Sequence, residues 1–123
     1  MFKRGDHAVV HRFAMACRAG SAAAIRSLLA PEVIAVSDGG GQVFTAPGPV
    51  RGIAQVAECV SAVLGVHPEM ALTVEAVNGQ PGVVLRGAGR VIAVVSLKVT
   101  GAKVAAVWIV LNPDKLRHWR TGE

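Results

Sequence analysis

Apolar positions recur along this chain with two different periods, and the switch between them divides the sequence. Over residues 5–19, Val9, Val10, Phe13, Ala16 and Cys17 fall three and four apart, which places them on one helical face with Arg12 and Arg18 pointing away. Gly20 suits the end of that helix, and Ser21 suits the N-cap of a second, short one. The stripe of this second helix is Ile25, Leu28 and Leu29, and Pro31 stops it. Val33 to Ser37 predicts a strand, Asp38-Gly39-Gly40-Gly41 a turn, and Gln42 to Ala46 a returning strand, because Asp-Gly favours the positive φ of a hairpin turn. After the break at Pro47-Gly48-Pro49, Ile53, Val56, Ala57, Val60, Val63 and Leu64 restore the helical spacing as far as Leu64.

Beyond Gly65 the period becomes two. Strands are predicted near Met70–Val77, Gly82–Arg86, Val91–Thr100 and Lys103–Leu111, with turns at Asn78-Gly79-Gln80-Pro81-Gly82 and Thr100-Gly101-Ala102. Helices first and strands later predict a single α+β domain over residues 1–123, with helices packed on one side of a strongly curved antiparallel sheet. The last two strands are apolar on both faces. Val91, Ala93, Val95, Leu97 and Val99 face one way, and Ile92 and Val94 the other; Val104, Ala106, Trp108 and Val110 alternate with Ala105, Val107, Ile109 and Leu111. A sheet with one wet face should alternate apolar and polar residues, so the outer face calls for cover. The economical cover is a second copy, and a homodimer is expected.

Composition narrows the class. The chain has 123 residues, 52% of them hydrophobic, which excludes intrinsic disorder and makes one core the natural reading. The longest apolar run, Val104 to Leu111, is far short of the ~20 residues that cross a bilayer. Asp6, His7, His11 and Arg12 break up any signal-peptide core, so a cytoplasmic protein is expected, with no membrane contact. The net charge of +5 gathers at the ends, in Lys3, Arg4, Arg12 and Arg18 and again in Lys115, Arg117 and Arg120. Five aromatics and no tyrosine leave no stretch of interleaved basic and aromatic residues, which argues against direct nucleic-acid binding. Cys17 and Cys59 have no metal-ligand spacing and read as reduced thiols.

Two strings point further. Val36-Ser37-Asp38-Gly39-Gly40-Gly41 and Asn112-Pro113-Asp114-Lys115-Leu116 resemble signature strings of the SnoaL-like C-terminal domain of a group of extracytoplasmic-function sigma factors. Asn78-Gly79-Gln80-Pro81-Gly82 and Lys115-Leu116-Arg117-His118 agree with that resemblance. It implies a cystatin-like, nuclear-transport-factor-like cone and a regulatory role through protein contact, with a sigma factor or RNA polymerase as the implied partner. Gln42 departs from the lysine that usually closes the glycine-rich string, and the Trp-Leu-Pro-Glu-Pro linker string is missing. With no helical sigma domains ahead of Phe2, the expectation is an accessory domain alone, and sigma activity is not carried over. Physically, Asp38, Gly39, Gly40 and Gly41 make a turn that allows close backbone approach, while Asn112 and Pro113 end the last strand and leave Asp114, Lys115 and Leu116 for contact. The two strings read either as turn chemistry alone or as a contact surface.

Relatives of the implied fold include cyclases, isomerases and epoxide hydrolases that place acid–base groups in the cone. The candidates here are few. Asp38 and Glu75 are the acids at strand or hairpin positions, His67 precedes Pro68 in a loop, and Trp108 lies mid-strand. His67, Glu75 and Trp108 are the candidate cavity residues. The absence of tyrosine removes a phenolic oxyanion donor. His7 and His11, four apart, have no evident third ligand, so no metal and no cofactor is expected. The leading expectation is a non-catalytic domain that acts by protein contact, gated by a small apolar ligand in the cone. The alternative is a small cyclase, isomerase or hydrolase acting on an apolar substrate.

Overall fold

A computed structural model describes residues 4–39, 48–64 and 70–111, together with Leu116. Helix α1 (Arg4–Ala19) buries the expected face: Val9, Val10, Phe13, Ala16 and Cys17 are all 5% exposed or less. It closes as expected. Gly20 takes φ 64, the Gly20 and Ser21 amides donate to the Cys17 and Ala16 carbonyls, and the Ser21 hydroxyl accepts from the Ala24 amide at 3.1 Å to cap α2 (Ala22–Leu28). The second helix ends a residue earlier than its apolar stripe suggests. Leu29 is already extended and opens β1 (Leu29–Asp38), a strand that runs through Pro31. Two residues, Val50–Arg51, form β2, and α3 (Ile53–Leu64) follows. The expected returning strand, Gln42 to Ala46, lies outside the described residues.

Four strands complete the sheet: β3 (Met70–Val77), β4 (Gln80–Gly87), β5 (Arg90–Thr100) and β6 (Lys103–Val110). Asn78 and Gly79 take φ 52 and 77, the two positive values that a tight hairpin turn requires. Ala88 does the same at φ 53, where glycine or asparagine would sit without crowding its Cβ. The order is β2-β1-β6-β5-β4-β3. The run from β3 to β6 is antiparallel throughout, whereas β1 lies parallel to β6, with Val36 beside Trp108 and Asp38 beside Val110. The sheet is curved and does not close.

One face of this sheet meets the helices. α3 packs on β1, and α1 on β3 and β4. Their apolar stripes join Val33, Ala35, Leu72, Val83, Leu85, Ala93, Val95, Leu97, Val107 and Ile109 in the main core. Two β-bulges alter the expected faces. A shift at Leu85/Arg86 turns Val91 to the outer face, and another at Lys98/Val99 brings Val104 into the main core, away from Ala106 and Trp108. One extra residue in a strand reverses the side of everything beyond it. A smaller cluster forms on the outer face from Val77, Val84, Val94 and Leu116, with Val91 and Val110 against it. Among the described residues no helix is long and apolar enough to cross a membrane.

Candidate functional site

Four residues singled out in the sequence for different reasons fall on the same face. β1 alternates Val33 and Ala35 toward the helices with Ile34, Val36 and Asp38 away from them. β6 places Trp108 beside Val36, and β5 places Ser96 on its other side. Trp108 is 44% exposed and Val36 36%, on central strands where a sheet face is normally covered. Leu116 lies on the same outer face, 8% exposed, over Val84, Val94 and Val110. The chain thus covers part of this face itself and leaves the Trp108 part open.

Glu75 also lies on the outer face. Thr73, Glu75 and Val77 of β3 alternate with the core-facing Leu72 and Val74. The Glu75 carboxylate accepts both guanidinium nitrogens of Arg86, at 2.9 and 3.0 Å, and a bond from the Thr73 hydroxyl. Such a two-pronged pair fixes the carboxylate in direction as well as charge. Neither Thr73 nor Arg86 was singled out as its partner. The period-two pattern of β3 does carry part of the signal, since Thr73 and Glu75 must share a face.

Asp38 is half-buried at the end of β1, its carbonyl accepts the Leu111 amide at 2.7 Å, and Gly39 behind it is buried. Gly40, Gly41, His67, Asn112, Pro113, Asp114 and Lys115 lie outside the described residues. On the helix-facing side, every described core residue is apolar. Burial pushes the Cys17 thiol up to about 12. Among the described residues no group of three His, Cys, Asp or Glu side chains converges on a metal position.

Comparison with known proteins places this geometry. The extracytoplasmic function sigma factor SigJ of Mycobacterium tuberculosis matches over 94% of this chain with 28% identity and a TM-score of 0.71. This chain spans less than half of that protein, 45% of its length. An NTF2-like protein of unknown function from Cytophaga hutchinsonii matches over 96% of this chain and 97% of its own, with 13% identity and a TM-score of 0.58. The fold is the NTF2-like cone. A steroid delta-isomerase from Pseudomonas aeruginosa shares the cone over 94% of this chain and 85% of its own, with 14% identity and a TM-score of 0.65. No protein-family model matches the sequence, and no curated protein does. The cone therefore occurs both in a sigma factor and in an enzyme, and the scaffold does not choose between them.

Proposed function

We propose that this chain is a non-catalytic, cytoplasmic regulatory domain that works by protein contact and joins a second copy of itself through the outer sheet face. The observation that carries the reading is the Trp108 patch. A tryptophan flanked in register by Val36 stands open on the central strands, and large aromatic side chains of this kind dominate protein interfaces. The likeness to a sigma factor at 28% identity supports a sigma factor or RNA polymerase as the regulated partner, reached through the Asp38-Gly39-Gly40-Gly41 and Asn112-Pro113-Asp114-Lys115-Leu116 strings. The apolar character of the described core supports a small apolar molecule as any ligand of the cone. Acid–base chemistry would need at least two polar groups converging on one volume. Glu75, the strand acid closest to such a role in the sequence, is held by Arg86 on the opposite face.

Light scattering on the eluting protein tests the proposal. At micromolar concentration the wild type runs as a dimer and Trp108→Lys as a folded monomer. A monomeric wild type, or a Trp108→Lys variant that stays dimeric, overturns the assignment of this face.

A further inference from the structure

A second surface lies at the end of the sheet, away from Trp108. Among the described strands β3 pairs with β4 alone and leaves its other edge open. The tight Asn78-Gly79 turn makes Val77 and Gln80 a hydrogen-bonded pair, and bonded and non-bonded pairs alternate from there. Glu75 and Thr73 bond across to β4, so the backbone groups of Leu72, Val74 and Ala76 point to the open edge. A side chain reports the same parity: the Arg18 Nε donates to the Leu72 carbonyl at 2.8 Å.

Helix α1 runs along this edge. His7, His11 and Arg18 are spaced four and seven residues apart and share one side of the helix. His7, His11, Val74–Ala76 and Gly79, Gln80 and Pro81 line an open groove of about 290 Å³. Its volume is near the lower end of the ~300–1,000 Å³ found for ligand pockets, which suits a short stretch of main chain better than a large cofactor. Four helical residues advance ~6 Å and alternate strand residues ~6.7 Å, so the imidazoles are spaced like successive same-face side chains of a strand. Glu75 brings little negative charge to the groove, because its carboxylate is held on the other face by Arg86 and Thr73.

We propose that this groove binds an acidic peptide in extended form. The peptide adds to the open edge of β3 through the backbone groups of Val74 and Ala76, while its carboxylate side chains lie against the His7–His11–Arg18 side of α1. Strand addition of this kind draws affinity from main-chain bonds and selectivity from side chains on alternate positions. Here the helix supplies the selectivity, since the Arg18 guanidinium at this edge attracts carboxylates and repels ammonium groups, and the imidazole N–H groups can donate to a carboxylate.

Isotope-labelled full-length protein, titrated with a blocked peptide of alternating valine and glutamate, tests the proposal. The amide signals of Val74 and Ala76 shift on titration, and the same peptide with lysine in place of glutamate leaves them still. Ala76→Pro removes one outward N–H and no ladder bond, and weakens binding about tenfold, as the loss of one main-chain hydrogen bond predicts. His11→Glu, on the helix surface, weakens it by a similar factor and decides the matter where Ala76→Pro does not fold. Trp108→Lys leaves the affinity unchanged, which separates this site from the outer face. Absent shifts, equal binding of the lysine peptide, or full affinity in a folded Ala76→Pro or His11→Glu variant overturns the proposal.

Discussion

Cys17 shows how completely one position can be withdrawn from water. It sits on the buried face of α1 at 1% exposure, and burial pushes its thiol from 9.0 up to about 12, because a thiolate there would have no solvent. The unfolded chain releases this proton near 9.0 while the folded chain keeps it. The contribution to stability is therefore full below 9.0 and declines as pH rises toward 12. Urea unfolding across that range should show the stability gap between wild type and Cys17→Ala narrowing above pH 9.0. A gap that stays constant would contradict the burial argument. The burial of Phe13 and Cys17 is legible from their shared spacing, but the raised pKa of Cys17 is not. A helical stripe says which way a side chain points, whereas its pKa depends on what packs over it from elsewhere in the chain.

At the level of elements, the strands pack so closely that one added methyl matters. A Cβ at Gly82 of β4 would come within 2.6 Å of the Val95 carbonyl oxygen and 2.7 Å of Val77 Cγ2. Gly82→Ala should cost about 1–3 kcal/mol in urea unfolding, the range for forcing extra volume into a packed site. A loss below the measurement error would mean that the neighbouring strands can part. Strands β3 to β6 were readable because they adjoin turns whose chemistry is local, as at Asn78-Gly79 and Gly101, whereas the two-residue β2 was not. The junction between α2 and β1 was not readable, because Leu28 and Leu29 fit a helical stripe as well as they fit the start of a strand. Only the pairing of Leu29 with Val104, 75 residues away, selects the extended form. The two bulges were hidden for the same reason: a shift of register depends on both strands and shows in neither sequence alone.

Across the whole molecule, Leu116 ties the region beyond β6 to the outer face. It covers Val84, Val94 and Val110 from three different strands. Leu116→Ala should lower stability by about 2 kcal/mol, at the low end for deleting a leucine that is only just beneath the surface. The same variant should bind more of an apolar fluorescent dye, as that cluster opens to water. Unchanged stability and dye binding would show that other side chains cover these valines. The expectation that both faces of the sheet need cover was legible from the unbroken apolar runs of β5 and β6. What those runs could not reveal was how the outer face is shared between the chain's own Leu116 and the open patch at Trp108. That division depends on where the chain returns after its last strand, which no periodic pattern encodes.

The position of β6 carries a consequence for how the protein comes into being. Among the described strands it is the last to be made, yet it lies between β1 and β5. A chain that has emerged only as far as β5 holds β1 and a three-stranded ribbon, β3 to β5, with none of the other described strands to join them. Most of the distant pairing, and the burial it brings, must wait until β6 has emerged. Nascent copies are left for that interval with two strand edges open, and late-closing sheets of this kind fold slowly and are exposed to aggregation until they close.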